Sequence, residues 1–145
     1  MQCLCVRDLM TSDVVSVEMD VSLSKLREIF ERSRFHHLVV TEDRTVRGVI
    51  SDRDLLKHIS PFIGNELMER PSDVNTLRKR AHQIMRRQPI VARAEMAAVD
   101  ATRLLLNHGV TCLPVVDEHE KLIGIVTWRD LLTGCIDGTC EFQAA

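Results

Sequence analysis

Aromatic residues are scarce in this 145-residue sequence, which has one Trp, four Phe and no Tyr. Its core must therefore be mostly aliphatic, which suits small α/β units, and a hydrophobic content of 45% is enough to fill such a core. No apolar run approaches the roughly 18 residues that a membrane span needs. The opening MQCLCVRDLM also lacks the basic stretch and the following apolar stretch of a secretory signal. We expect no membrane partner.

The sequence also lacks an excess of charge and a cysteine framework. A formal net charge of −2 and a pI near 6.3 give no general attraction to nucleic acid, so we expect no nucleic-acid partner. The cysteines are odd in number and lack the spacing of a disulfide framework, which favours reduced thiols in a cytoplasmic protein. Their spacing does not give the two short-spaced ligand pairs of a structural zinc site, so we expect no metal site. Nothing in the sequence links a cysteine to an activating base, so we expect no Cys-His catalysis. The five are Cys3, Cys5, Cys112, Cys135 and Cys140.

What the sequence does contain is an internal repeat. A shift of 76 places residues 48–56 (GVISDRDLL) on residues 124–132 (GIVTWRDLL), with identical Gly, Arg, Asp, Leu and Leu. We align Leu38 with Pro114 at the same shift. Leu9-Met10 and Ile84-Met85 instead lie 75 apart, so one residue was gained or lost between these strings.

Each copy shows the same order of periodicities, β-α-β-β-α, and we predict an α/β fold of two pseudo-symmetric repeats packed through their sheets. Residues 77–87 add a basic segment that looks helical. We divide the chain into repeat 1 (6–59), a linker with the start of a helix (60–80), repeat 2 (81–135) and a flexible tail (136–145). The predicted elements of the first copy are a strand at 14–17, a helix at 23–30, strands at 37–41 and 46–51, and a helix at 52–58. Those of the second copy are a strand at 90–91, a helix at 96–108, strands at 112–116 and 122–127, and a helix from Trp128.

Three strings resemble the CBS domain, named after cystathionine β-synthase. They occur in the family's order, and the first and third occur in both copies. A tandem pair of these domains is often called a Bateman module. The strings are Leu9-Met10 and Ile84-Met85, which resemble the family's opening h-x-x-h-M; residues 113–117, LPVVD, which resemble its second strand; and residues 48–54 and 124–130, which resemble its G-h-h-[ST]-x-x-D signature. In our alignment the first copy departs from the pattern at Leu38, where the family usually has Pro.

The resemblance implies a regulatory, non-catalytic module that binds an adenosine-containing ligand such as AMP, ADP or ATP in two clefts. It implies no required cofactor, a homodimer, and a separate effector protein. It assigns the ribose to Asp54 and Asp130, with hydroxyl contacts from Ser51 and Thr127. Arg53 and Arg129 would bind phosphates. The adenine slots would be lined by Val15, Val17, His36 and His37 in the first copy, and by Ile90, Val91, Cys112 and Leu113 in the second.

The same residues have a purely structural interpretation. A hydroxyl followed three residues later by a carboxylate is a helix capping box, worth about 1 kcal/mol, and could alone explain the pattern. The slot residues could equally be core strand residues, and at most one of His36 and His37 faces any cleft because strand side chains alternate. A ligand-free dimerising scaffold is therefore the alternative function, and an enzyme comes third. If both clefts bind, we expect the second, which has Pro114, to bind nucleotide more tightly because proline preorganises the strand.

Overall fold

The computed structural model describes residues 4–137, which divide into two compact units. Unit 1 contains residues 4–14, 44–46 and 89–137, and unit 2 contains residues 15–43 and 47–88. Each unit therefore combines most of one sequence repeat with the opening segment of the other repeat. Helix α1 (Val6–Leu9) belongs to unit 1 with the second repeat, and helix α5 (Ala81–Ile84) belongs to unit 2 with the first.

Unit 2 is built on a four-stranded sheet. Its elements are β1 (Ser16–Glu18), α2 (Leu23–Arg32), β2 (His37–Glu42), β3 (Thr45–Ser51, of which the first two residues group with unit 1), α3 (Asp52–His58), α4 (Pro71–Asn75), a 3₁₀ turn (Thr76–Arg78), α5, and β4 (Arg86–Arg87). The strand order is β1-β2-β3-β4. Strand β1 is parallel to β2, so the chain must cross over between them, and α2 makes that crossover. Strand β4 is antiparallel to β3.

Unit 1 has a three-stranded sheet of order β5-β6-β7. Its elements after α1 are β5 (Ala92–Arg93), α6 (Ala98–His108), β6 (Cys112–Val116), β7 (Leu122–Thr127) and α7 (Trp128–Ile136). Strand β5 is parallel to β6 and β7 is antiparallel to it, as in the corresponding part of unit 2. Helix α6 ends at Gly109, whose φ of 62° is the left-handed conformation that glycine adopts at helix ends.

The core of each unit is aliphatic, as the scarcity of aromatics predicts. In unit 2 it includes Leu38, Val40 and Ile50 of the sheet, covered by Leu23 and Leu26 of α2. These five are fully buried. Unit 1 repeats the arrangement, and its core includes Leu113, Val115 and Val126 of the sheet, Ala101 and Leu105 of α6, Leu131 of α7 and Val6 of α1.

Two glycine–methionine contacts tie the exchanged opening segments to the sheets. A Cβ atom at Gly48 would lie 2.5 Å from the Sδ of Met85, and one at Gly124 would lie 2.6 Å from the Sδ of Met10. Only glycine leaves room for these methionines. The glycine and methionine motifs quoted from the sequence therefore meet in space, each glycine contacting the methionine of the other repeat.

The predicted α/β class and the doubled β-α-β-β-α order are confirmed. Helix α3 and strands β6 and β7 have the predicted bounds. The first strand of the second copy, however, is Ala92–Arg93 and not Ile90-Val91, because Ala92 is the residue that pairs with Val115 of β6. Within the described part of the chain, no helix has the length and apolar character needed to cross a bilayer. Most of the predicted tail, residues 138–145, lies outside the described residues.

The prediction of one helix over residues 77–87 is wrong. The segment forms a 3₁₀ turn, the four-residue helix α5 and strand β4. Backbone hydrogen bonds to the loop between β1 and α2 interrupt it: the Ala81 N–H donates to Val21 O at 2.8 Å and the His82 N–H to Met19 O at 3.0 Å. Arg86 and Arg87 then pair with β3, which a continuous helix could not do.

The alignment of Leu38 with Pro114 is also wrong. Val40 pairs with Val17 in unit 2, and Val115 pairs with Ala92 in unit 1, which places these strands at a shift of 75. Leu38 therefore corresponds to Leu113, and both are fully buried in their cores. The counterpart of Pro114 is Val39. The additional residue of the second copy lies in the turn between β6 and β7.

Candidate ligand-binding sites

In unit 2 the carboxylate predicted to bind the ribose, that of Asp54, caps helix α3. The Ser51 N–H donates to Oδ2 of Asp54 at 2.9 Å, and the Asp54 N–H donates to the Ser51 hydroxyl oxygen at 3.0 Å. The capping interpretation of this pair is therefore correct. Only Oδ2 of Asp54 takes part in the cap, so Oδ1 can accept a hydrogen bond from another group.

Unit 1 repeats this cap at the start of α7. Oδ2 of Asp130 accepts hydrogen bonds from the Thr127 N–H at 2.7 Å and from the Thr127 hydroxyl at 3.0 Å. The Asp130 N–H approaches the same hydroxyl at 3.4 Å. Among residues 4–137, no group donates a hydrogen bond to Oδ1 of Asp130. This carboxylate is thus fixed in position with one oxygen still available.

Oδ1 of Asp54 has a neighbour that sequence reasoning missed. Nη2 of Arg86, on β4, lies 3.6 Å from it. Arg86 directly follows the Ile84-Met85 string, and the residue at the same place after Leu9-Met10 is Thr11. Comparing the residues that follow the two repeated strings would have exposed this difference in charge.

Two histidines and a second carboxylate surround the cap of unit 2. Nδ1 of His36 lies 2.8 Å from Oδ2 of Asp52, and both side chains are largely exposed. Burial raises the pKa of Asp52, but hydrogen bonds from His36 and from the Arg53 N–H outweigh burial and hold that pKa below its ordinary value. Burial lowers the pKa of His37, and the charge of Asp52 opposes this only in part.

The two predicted phosphate-binding arginines, Arg53 and Arg129, occupy matching positions in the first turns of α3 and α7. Both are exposed, and neither guanidinium is hydrogen-bonded to an acceptor within the described chain. Each is the second residue of its helix and directly precedes the capping carboxylate. They are therefore free to contact a ligand without breaking an existing interaction.

The residues predicted for the adenine slots divide between the core and the surface. The side chains of Val17 and Leu113 belong to the two cores, so they could offer a ligand only their backbone. Val15 is exposed, and Ile90 and Val91 are half-buried. Cys112 is buried and pairs across the sheet with Thr127, which places it beside the cap of unit 1. The Trp128 N–H donates to the Thr111 carbonyl, and the Asp52 N–H donates in the same way to the His36 carbonyl.

No cluster of three or more His, Cys, Asp or Glu side chains suited to a metal ion occurs among the residues that the structure describes. Cys5 and Cys135 form no disulfide among the described residues. Cys3 and Cys140, the cysteines nearest to them in sequence, lie outside the described residues.

The doubled fold with a capped carboxylate in each unit agrees with comparison to known proteins. The model of the CBS domain family matches residues 6–61 and again residues 81–136. The chain belongs to the CBS domain family. The resemblance drawn from the sequence motifs is therefore confirmed, and the chain carries a tandem CBS pair.

Relatives of this CBS pair cover nearly its whole length. A CBS domain-containing protein of Dictyostelium discoideum is 31% identical over 129 residues, with 88% of each chain covered. Among solved structures, CBSX2 in complex with AMP is 32% identical with a TM-score of 0.74, and covers 92% of this chain and 96% of its own. The cytosolic domain of the Mg²⁺ channel MgtE in complex with ATP is 25% identical with a TM-score of 0.66, and covers 86% of this chain and 46% of its own.

Proposed function

We propose that this CBS pair is a regulatory module that binds an adenine nucleotide and passes its occupancy to a separate partner protein. The observation that carries the proposal is the free Oδ1 of Asp130, held in place by a cap that uses only Oδ2. A preplaced carboxylate with one unused oxygen suits the hydroxyl groups of a ribose, which such an oxygen binds in dinucleotide sites.

The surroundings of Asp130 suit the rest of a nucleotide. Arg129 offers an unengaged guanidinium for charge-assisted hydrogen bonds to phosphate. The nine-residue helix α7 starts here, and the positive end of its dipole favours an anion. Ile90 and Val91, which directly precede β5, are half-buried apolar side chains and could contact the base.

The relatives with bound ligands support the same chemistry. CBSX2 was solved with AMP and the MgtE cytosolic domain with ATP, and both align with most of this chain. The shared part of those ligands is an adenosine phosphate. AMP and ATP are accordingly the probes to use first.

We propose a binding function without catalysis, in which a ligand acts by preferring one conformation of the pair. The change in the partner's affinity can be no larger than the difference between the ligand's affinities for the two conformations. This chain spans 22% of the homoserine O-acetyltransferase of Methanosalsum zhilinae and 25% of the magnesium transporter MgtE of Thermus thermophilus. We propose that the effector of this chain is a separate polypeptide.

We also propose a homodimer, because both capped helices expose apolar side chains. The sequence pairs Leu55-Leu56 and Leu131-Leu132 each divide between core and surface, with Leu55 and Leu131 buried and Leu56 and Leu132 exposed. On α7, Trp128, Leu132 and Ile136 are spaced four residues apart on one face, and all are at least half exposed. An exposed apolar stripe on a helix favours a symmetric partner.

The first test is mass spectrometry of small molecules released from the chain purified without added ligand, followed by calorimetric titration with AMP and ATP. We expect an adenosine phosphate or, from an empty protein, saturable binding of one. The proposal is rejected if no ligand is released and neither AMP nor ATP binds at millimolar concentration.

One observation favours a ligand-free scaffold as the second candidate function. The carboxylates of the repeated motif, Asp54 and Asp130, both serve as helix caps, and capping alone accounts for the pattern of residues around them. A scaffold predicts that neither wild type nor Asp130→Asn binds AMP or ATP.

A further inference from the structure

The two capped carboxylates differ in what lies at their second oxygen. In unit 2, Oδ1 of Asp54 faces the guanidinium of Arg86 at 3.6 Å, an ion-pair distance longer than a hydrogen bond. The side chain of Asp54 is 10% exposed and that of Arg86 is 61% exposed. The carboxylate is therefore fixed by its burial and its cap, whereas the arginine can move.

Unit 1 has an uncharged residue at the equivalent place. Thr11 exchanges two backbone hydrogen bonds with Ile125 of β7, at 2.9 and 3.0 Å, just as Arg86 pairs with Val49 of β3. Oδ1 of Asp130 has no protein partner in the described chain. The two sites thus share their cap and their backbone but differ in the group that faces Oδ1 of the carboxylate.

The other charged groups of unit 2 do not produce this difference. Asp52 is already paired with His36 at 2.8 Å. Arg53 has its counterpart in Arg129, so an arginine at that position is common to both units. Arg86 is the cation that faces Asp54 in unit 2, and unit 1 has Thr11 at the equivalent position.

We infer that Arg86 is a specificity-determining residue that restricts the unit 2 site to phosphorylated ligands. The inference rests on the proposed function. A neutral nucleoside must separate Arg86 from Asp54 and gives the arginine no anion in return. A nucleotide brings a phosphate that replaces Asp54 as the partner of the guanidinium, and arginine binds phosphate well. In unit 1, where Thr11 replaces the arginine, Asp130 can bind the ribose of a ligand with or without a phosphate.

The test compares AMP with adenosine by calorimetry, in the full chain with the unit 1 carboxylate removed by Asp130→Asn so that unit 2 reports alone. We expect this background to bind AMP at least tenfold tighter than adenosine, because only AMP brings a phosphate that the guanidinium can bind in place of Asp54. Adding Arg86→Thr, which copies unit 1, should raise the affinity for adenosine about tenfold. The control Arg87→Thr changes the neighbouring exposed arginine, whose guanidinium donates to the His82 carbonyl, and should leave both affinities unchanged.

The reciprocal change completes the test. Thr11→Arg, in a chain whose unit 2 carboxylate is removed by Asp54→Asn, should weaken adenosine binding about tenfold and spare AMP. Unchanged adenosine affinity in Arg86→Thr overturns the inference, even if AMP binding falls, because Arg86 is then an ordinary phosphate ligand. Loss of all binding in the Asp130→Asn background also overturns it but leaves the proposed function standing. A wild-type chain that binds neither AMP nor ATP rejects the proposed function itself.

Discussion

At the residue scale, the proposed function gives the capping carboxylate of each unit a second, separable task. Asp130 stabilises the start of α7 through Oδ2 and leaves Oδ1 for another partner. The structural and the functional interpretations of the sequence pattern are therefore compatible, because they use different oxygens of the same carboxylate. A substitution that keeps one oxygen acceptor can separate them.

Asp130→Asn should weaken AMP binding by roughly 10- to 100-fold, because a charged hydrogen-bond partner contributes about 1.5–3 kcal/mol. The amide oxygen of asparagine can still accept from the Thr127 N–H, so the melting temperature should change little. Calorimetry and a thermal melt of the same preparation measure both effects. The control is Asp100→Asn, an exposed carboxylate on α6 paired with Arg103. AMP affinity equal to wild type in a folded Asp130→Asn chain would remove Asp130 from the site.

His37 makes the stability of unit 2 depend on pH. Burial holds the folded-state pKa of His37 below its ordinary value of 6.5, so below pH 6.5 the unfolded chain binds more protons than the folded chain. The free energy of unfolding should therefore rise as the pH increases towards 6.5 and lose this dependence above it. The lowered pKa of Asp52 acts below its ordinary value of 3.8 and does not enter this range.

The measurement is the urea midpoint at pH 5.5 and pH 7.0. Wild type should be less stable at pH 5.5, and His37→Gln should show a smaller difference between the two pH values. His119→Gln, at an exposed histidine in the turn after β6, serves as the matched control. An equal pH dependence in His37→Gln and wild type would contradict the assignment.

At the element scale, the exchanged opening segments are held by glycines that leave space for methionine. Gly48→Ala should destabilise the fold by about 1–3 kcal/mol, since the new methyl group overlaps the side chain of Met85. Gly124→Ala should do the same against Met10. Urea unfolding of Gly48→Ala, Met85→Ala and the double variant forms a cycle in which the double variant loses less than the sum of the two single variants. Additive losses would show that the two side chains do not meet.

The elements that could be predicted from sequence are those in which local pattern and tertiary structure agree. Strands β6 and β7 are apolar runs bounded by polar turns, and α3 begins at a capping box, so their bounds were found. The helix predicted over residues 77–87 does not form, because Ala81 and His82 donate backbone hydrogen bonds to a loop that is distant in sequence. The local sequence pattern does not indicate these bonds.

The errors of register have a similar cause. Leu38 and Val39 are both fully buried apolar residues, so their sequence does not say which one corresponds to Pro114. The pairing of Val17 with Val40 decides it, and that pairing is a property of the sheet. The capped carboxylates were predictable from the repeated motif. Arg86 was not, because it reaches Asp54 from a segment 32 residues further along the chain.

At the scale of the whole molecule, the exposed stripe on α7 is the feature that calls for a partner copy. We expect light scattering at micromolar concentration to give twice the chain mass of 16.5 kDa. Leu132→Lys should weaken the dimer, because it places a charge in the apolar stripe. Leu106→Lys, at a more exposed leucine on α6, should leave the mass unchanged. A mass of 16.5 kDa for wild type throughout the micromolar range would refute the dimer.

The exchange of opening segments also sets the order in which a newly made chain can become complete. Helix α1 leaves the ribosome well before Val126 and Leu131, which share the core of unit 1 with its Val6. Unit 2, in contrast, has all of its residues once position 88 has been synthesised. Because domains fold as their sequence becomes available, unit 2 should acquire structure during translation while Val6 still waits unburied. Closing unit 1 then joins the two ends of the described chain, a long-range step that slows folding and makes the last helix indispensable to the first.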